Sequence, residues 1–178
     1  PNNIGIGMDT DDAADDWAWV YEVGRRCFEE LYEPFFDEAT GLYRGQSCFV
    51  DIAWNGYPPS FGRRTIEAKR ASILIEAAST NCLYYKGLSV MAATAERLGR
   101  PGPARQWRER AAALRRAIRT RLIRPDGTVA YFQHEDHHLE PREHALAAAF
   151  AVELDVLEGQ AAARAVADYP VAWWGVPL

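Results

Sequence analysis

The sequence predicts an all-α domain built from αα-hairpins, with short strands confined to the long connecting loops. Apolar residues recur at i, i+3, i+4 and i+7 over several stretches, as on the buried face of an amphipathic helix. Glycine and proline interrupt these stretches, and one connection is so short that its two helices must be antiparallel neighbours. The 178 residues suffice for one domain or for part of a larger one.

The first predicted helix follows an acidic segment at residues 9–16. Its apolar stripe begins at Trp17 and continues at helical spacing to Leu31, and the helix ends near Pro34. The aspartates of residues 9–16 suit a helix N-terminus, where the helix dipole favours negative charge. A calcium loop is the alternative, although the glycine and the closing glutamate of an EF-hand are missing.

The later elements are predicted from the same periodicity and from capping residues. Ser79 or Thr80 is a good N-cap, and Gly99 supplies a C-terminal stop. Pro141 suits the first turn of a helix. The predicted elements are a short helix within 67–78, a helix over 79–98, a tight connector at 100–103, a helix over 104–123, a strand over 128–132, a helix over 141–157 and a shorter helix over 160–168.

A long aromatic loop over residues 41–64 carries one lone acid, Asp51. A carboxyl group among aromatic side chains is a candidate for a raised pKa, which a general acid requires. The alternative is that Asp51 caps a turn. Less favoured acid candidates are Glu67 and Glu143, and the spacing alone favours Glu143 as a first-turn acid that interacts with the helix dipole. The side chains expected to line the same pocket are Trp54, Tyr57 and Arg63.

Composition excludes several classes of function. The net charge is −5, no basic patch is interleaved with aromatic residues, and no apolar run approaches a membrane span, so neither nucleic acid nor a membrane is an expected partner. The first residues lack the order of a signal peptide, which favours a cytoplasmic location while leaving secretion or a periplasmic location open. No phosphate-binding glycine loop or dinucleotide fingerprint is present, and no cofactor is expected.

Two further residue types are candidate metal ligands. The cysteines Cys27, Cys48 and Cys82 are odd in number, irregularly spaced and set beside apolar residues, which favours reduced, buried thiols. All four histidines lie in residues 133–144, in a segment that reads as an exposed loop, and no pair sits at i, i+4 on a well-formed helix with a general-base glutamate between. We interpret these histidines as solvated loop residues and predict no metal.

Four segments resemble the bacterial six-hairpin glycosidases, the α/α-toroid glycoside hydrolases related to α-L-rhamnosidases and debranching-type enzymes. They read TGLYRGQSCFVDIAWNGYP, STNCLYYKGLSVMAATAERLG, PREHALAAAFAVELDVL and YPVAWWGVP, in the family's order over nearly the whole chain. The resemblance implies part of an (α/α)6 toroid spanning residues 1–178, with its active site at the loop end of the ring. It departs from the family after Asp51, where Ile52-Ala53-Trp54-Asn55-Gly56 replaces the usual aromatic-basic continuation.

The resemblance implies a glycoside hydrolase of the inverting type that acts on an oligosaccharide or glycoside. Asp51 and Glu143 are its catalytic candidates, and Asn81 either touches the substrate or braces the pocket. Trp17 is added as a further substrate-binding candidate. The resemblance implies that this chain supplies about half of the ring. Either the remaining half of the toroid or a second copy of the chain is therefore expected to cover the exposed helix faces.

Two other functions stay open. Toroids of this kind also host sugar isomerases and epimerases, and such chemistry would use His134, His137, His138 and His144. A helical-repeat interaction domain is the non-enzymatic alternative. The chain shows no fixed repeat near 34 residues, and a scaffold has no need of the loop over 41–64.

Overall fold

A computed structural model of the chain describes residues 13–45, 74–167, 169, 171 and 173. The described part is mostly helical, with only short strands, which confirms the predicted all-α class. Its α-helices are α1 Ala13–Arg26, α2 Ala78–Arg97, α3 Pro101–Arg121, α4 Ala145–Glu153 and α5 Gly159–Ala167. Its strands are β1 Phe36–Asp37, β2 Leu42–Tyr43, β3 Glu76–Ala77 and β4 Phe132–Gln133. None of these helices is both long and apolar enough to cross a membrane.

The central feature is the antiparallel hairpin of α2 and α3, which share a core of Leu88, Met91, Leu114 and Ile118. Gly99 turns the chain between them in the left-handed conformation, with φ +66°, that favours glycine. The helix α3 begins at Pro101, three residues earlier than predicted, because a proline in the first turn has no amide that needs a partner. The predicted connector at 100–103 is therefore mostly helix.

The start of α2 differs from the prediction by one residue. Ala77, in an extended conformation, is the N-cap, and no side chain caps the helix. Ser79, predicted as a cap, is instead fully buried within the first turn. The helix enters directly from β3, so backbone pairing rather than a capping hydroxyl sets its first residue.

The π-helical turn that follows α1 packs on α2 through an aromatic cluster. Phe28 lies edge-on to Tyr32 and Tyr84, with ring centroids 5.6 Å and 6.1 Å away. A Cβ atom on Gly87 would lie 2.8 Å from Cζ of Phe28, so the close approach of the two segments requires glycine at that position. The chain leaves α1 through a π-helical turn, Cys27–Leu31, and a 3₁₀ turn, Glu33–Phe35, in agreement with the predicted end near Pro34.

The short strands pair as β1 with β2 and as β3 with β4, both antiparallel. Glu76 and Ala77 therefore belong to a strand, which corrects the short helix predicted there, while residues 67–73 lie outside the described part. The strand predicted over 128–132 is a series of isolated bridges that becomes a ladder only at β4. Strand pairing brings β3, β4 and the start of α2 to one end of the helices, which we call the loop end.

The helix predicted from Pro141 begins later. Glu143 forms an isolated bridge with Ala130, and His144 is extended, so α4 starts only at Ala145. The helix also ends early, at Glu153, and Gly159 in the left-handed conformation opens α5. The extended residues before α4 are held by pairing with a distant segment, which a local periodicity cannot reveal.

Candidate functional site

The aromatic loop leaves and returns at the loop end. The amide of Gly45 donates to the carbonyl of Ile75 over 2.7 Å, and the amide of Ala77 donates to the carbonyl of Gly45 over 3.3 Å. Residues 46–73, between these flanks, lie outside the described part, and they include the predicted site residues Asp51, Trp54, Tyr57 and Arg63. The described flanks therefore define where that segment is attached.

Beside the flanks, a buried carboxyl group anchors a polar network. Glu76 is only 3% exposed. Its Oε1 accepts a hydrogen bond from the hydroxyl of Thr40, and its Oε2 accepts one from Nε2 of Gln133 over 3.1 Å. Burial raises the pKa of Glu76, although the hydrogen bond from Thr40 acts in the opposite direction. The network joins the β1–β2 turn to the β3–β4 pair.

Three histidines follow Gln133 in the chain, and one of them, His137, contacts this network. Nδ1 of His137 lies 3.0 Å from Nε2 of Gln133, and His137 has a φ of +67°, an uncommon conformation for a residue other than glycine. The rings of His134 and His138 stack with centroids 3.8 Å apart. His137 and His138 are exposed, as predicted, whereas His134 is partly buried.

A second buried carboxyl group, Glu140, has the opposite electrostatics. Nε of Arg142 donates to its Oε1 over 2.6 Å, and Nε2 of His134 lies 3.4 Å from its Oε2. Burial acts to raise the pKa of Glu140, but the hydrogen bonds from Arg142 outweigh it and lower the pKa. The loop end thus holds two carboxyl groups whose environments shift their pKa values apart, as acid and base roles require.

His144 is buried, which corrects its interpretation as a solvated histidine. It is 4% exposed, its ring stacks on Tyr131 with centroids 4.5 Å apart, and its Nδ1 has no hydrogen-bond partner among the described residues. Burial lowers the pKa of His144 and so favours the neutral ring. The neighbouring Glu143 is half-buried and lies two residues before α4, outside the first helical turn where the sequence placed it.

Asn81 lies at the loop end, inside the core. Its side chain accepts from the amide of Tyr43 over 2.7 Å and donates to the carbonyls of Tyr43 and Ala77 over 2.8 Å and 3.0 Å. The sequence predicts that Asn81 either touches the substrate or braces the pocket, and these hydrogen bonds are of the bracing kind. Substrate contact by Asn81 stays a prediction.

Trp17 lies away from the loop end. The guanidinium of Arg97, at the last residue of α2, covers its ring at 4.6 Å. Ala78 and Arg97 are nineteen residues apart, about 28 Å along a helix. The structure therefore brings Asn81 to the same end as Glu143 but does not bring Trp17 there.

Metal ligands do not assemble in the described ranges. No group of three or more histidine, cysteine, aspartate or glutamate side chains within them has the arrangement that a metal ion needs. Cys82 is buried, as predicted, whereas Cys27 is only half-buried. Cys48 lies outside the described residues.

Sequence reasoning missed the most deeply buried acid. Glu76 stands in the apolar run Ile73-Leu74-Ile75-Glu76-Ala77-Ala78. A single carboxylate in such a run is the signal that could have found it, because acids are almost never fully buried without partners. Its partners Thr40 and Gln133 are 36 and 57 residues away in sequence, so the network itself had no local signal.

The opposite pKa shifts of Glu76 and Glu140 give a testable pH dependence. The folded state holds the proton of Glu76 more tightly than the unfolded chain, whose glutamate has a pKa near 4.5. The contribution of Glu76 to stability is therefore present below pH 4.5 and is lost as the pH rises towards the raised folded value. We expect Glu76→Gln to gain stability relative to the natural protein between about pH 4 and pH 7.

Glu140→Gln is the matched control, with the opposite sign. The pKa of Glu140 is lowered on folding, so its contribution is present above pH 4.5 and is lost in acid. Urea unfolding of both variants across this pH range measures the effect. Parallel pH profiles for the two variants would contradict the assigned environments.

Comparison with known proteins shows a similarity of fold. No family model matches the sequence, and no curated protein matches it significantly. Among solved structures, the chain is similar to a GH78-family rhamnosidase of Bacillus sp. GL1, with a TM-score of 0.62 and 18% sequence identity. The similarity covers 87% of this chain and 14% of the rhamnosidase chain. This chain therefore has the fold of a small part of that protein.

Proposed function

We propose that this chain forms part of the catalytic domain of a glycoside hydrolase with an (α/α)6 toroid. The similarity of fold to the rhamnosidase, over 87% of this chain, is the observation that carries the proposal. Paired helices with a polar loop end support it, because a toroid of hairpins places its active site where the long loops meet. The four sequence segments that resemble six-hairpin glycosidases add independent support.

In this proposal Asp51 is the general acid. Asp51 follows Gly45 by six residues, and Gly45 is tied to Ile75 beside the buried Glu76 network. An inverting hydrolase protonates the leaving oxygen with one carboxylic acid while a second carboxylate activates water on the other face of the sugar. Glu143, half-buried at the same end, is the second catalytic candidate within the chain.

Aromatic and polar side chains of the loop would hold the sugar. Sugars present apolar C–H faces to aromatic rings and hydroxyl pairs to carboxylates and guanidinium groups, which suits Trp54, Tyr57 and Arg63. Asn81 braces the described flank of this loop, because it binds the backbone of Tyr43, two residues before Gly45. The structural similarity makes an α-L-rhamnoside the first substrate to test.

Exposed apolar side chains support a larger helical assembly. Trp19 on α1 and Val90 on α2 are 66% and 44% exposed, and Val166 on α5 is 59% exposed. Large apolar side chains in such positions are commonly covered by a further element or a second chain. We infer that additional hairpins of the ring, or a second copy of this chain, pack on these helices.

A sugar isomerase or epimerase is the second candidate. The stacked His134 and His138, and His137 at hydrogen-bond distance from Gln133, place three imidazole rings at the loop end. Imidazoles move protons near neutral pH, as interconversion of reducing sugars requires.

The test is an assay of the complete protein with 4-nitrophenyl glycosides, α-L-rhamnoside first, and with free reducing sugars. We expect release of the sugar, and NMR of the first product should show an inverted anomeric centre. Interconversion of free sugars without any release would favour the isomerase. The absence of both reactions across the whole panel would overturn both proposals.

A further inference from the structure

A pocket on the flank of the helices reaches from the middle of α3 to Gly41 and Tyr43 at the β1–β2 pair. Its volume is about 500 Å³, within the range of small-molecule sites. The lining includes Glu29, Glu33, Phe36, Tyr43, Arg110 and Ala113. Arg110 lies eleven residues before the loop-end residue Arg121, about 17 Å along α3. The pocket thus opens beside the middle of α3.

One guanidinium is held in place at this pocket. Nη2 of Arg110 lies 3.5 Å from Oε2 of Glu33 and 3.3 Å from the hydroxyl of Tyr43. The guanidinium carbon also lies 4.8 Å from the centre of the Trp107 ring. Contacts on three sides restrict the rotamers of Arg110 before any ligand arrives, which reduces the entropy lost on binding.

The charges of the pocket are balanced. Glu33 is paired with Arg110, and Glu29 is paired with Arg25 on the preceding turn. For an ionic ligand, the group of opposite charge that it needs is already paired. A neutral ligand with hydroxyl groups can donate hydrogen bonds to the carboxylates and accept one from the guanidinium. The pairing therefore favours an uncharged, hydroxylated ligand.

The remaining lining is apolar and aromatic. Phe36 packs against Tyr43 with ring centroids 5.0 Å apart, and Leu88 and Leu114 also line the pocket. Glu29 is presented by a π-helical turn, a distortion that is frequent at functional sites. A ligand with one apolar face and hydroxyl groups at its edge matches this combination.

We propose that this flank pocket binds a saccharide unit, as an accessory site centred on Arg110 of α3. The choice of a saccharide among hydroxylated ligands rests on the proposed function. Its pyranose ring would lie against the apolar lining while its hydroxyl groups meet Glu33 and Arg110. Such a site would hold a substrate chain on the protein without taking part in bond cleavage.

The test is a titration of the isotope-labelled protein with four probes, followed by NMR. The probes are methyl α-D-glucopyranoside, methyl α-D-mannopyranoside, methyl β-D-galactopyranoside and methyl α-L-fucopyranoside. We expect at least one of them to give saturable shifts of the Gly41 and Ala113 amides. No saturable shift with any of the four would overturn the proposal.

Two neighbouring alanines provide matched variants. Ala113 lines the pocket and Ala112 does not, and both are exposed on α3. We expect Ala113→Phe to fill the pocket and weaken binding by about tenfold or more, and Ala112→Phe to change it less than about twofold. Equal binding by both variants would overturn the site.

A second pair keeps the test decisive if a phenylalanine variant fails to fold. Glu33→Gln removes the partner of Arg110, whereas Glu30→Gln changes a nearby acid that pairs with Arg26 outside the pocket lining. We expect only Glu33→Gln to weaken binding. Glycoside hydrolysis, measured on the same samples, separates the two proposals: hydrolysis without flank binding overturns this inference alone, and flank binding without hydrolysis overturns the proposed function alone.

Discussion

Asn81→Ala is expected to lower the free energy of unfolding by about 3 kcal/mol or more, because it leaves buried backbone groups without hydrogen-bond partners. Asn81 is completely buried, and its amide satisfies both the N–H and the C=O of Tyr43. Tyr43 is itself 1% exposed, so water cannot replace the lost partners. Each buried polar group left without a partner costs about 1–3 kcal/mol.

Urea unfolding measures this loss, and hydrogen exchange locates it. We expect the Tyr43 amide to exchange faster in Asn81→Ala, since its acceptor is removed. Ser89→Ala is the control on the same helix. The half-buried Ser89 hydroxyl donates to the carbonyl of Tyr85, one turn earlier, so we expect a loss below about 0.5 kcal/mol. Equal stability of the two variants would show that Asn81 does not brace Tyr43.

Asp51→Asn is expected to reduce turnover of an activated glycoside by at least about 100-fold, because the amide cannot donate a proton to the leaving oxygen. The expectation concerns the complete protein and rests on the proposed function. Loss of a general acid should fall mainly on kcat, and it should remove the limb of the pH–rate profile that reports the acid. Initial rates with a 4-nitrophenyl glycoside across pH measure both.

Asp155→Asn is the control for this experiment. Asp155 is exposed at the turn after α4 with a φ of +61°, a conformation that asparagine also tolerates. We expect its activity to stay within about twofold of the natural protein. Near-normal activity of Asp51→Asn would remove Asp51 from the role of acid and leave Glu143 as the carboxyl group to test.

The loop end combines features that separately have ordinary structural explanations. Glu76 could serve only to join the β1–β2 turn to β4, and Glu140 only to hold Arg142. Their significance lies in their position, because the ends of the segment that carries Asp51 meet beside Glu76. A buried acid with a raised pKa and a second with a lowered pKa would set the local field at the proposed site.

Helices were predicted well where the signal is local. The periodic stripes over 79–98 and 104–123 and the stop at Gly99 yielded the α2–α3 hairpin with boundaries correct to within three residues. Such stripes reflect the 3.6-residue repeat of a helix that packs against a core. This repeat can be recognised within a short window of sequence. Errors at helix ends occurred where Pro101 extends α3 and where pairing of Glu143 with Ala130 delays α4. The short helix predicted within 67–78 was wrong at Glu76 and Ala77, which form a strand.

The amino-acid sequence by itself determined the all-α class, the order of the hairpin helices and Asp51 as the acid to test. Only the tertiary structure decided that Glu76 is buried between Thr40 and Gln133, that His144 is buried, and that Trp17 lies far from Asn81. The physical reason is distance along the chain. Helical propensity and periodicity act over a few residues, whereas burial and pKa shifts depend on partners that folding brings from dozens of residues away.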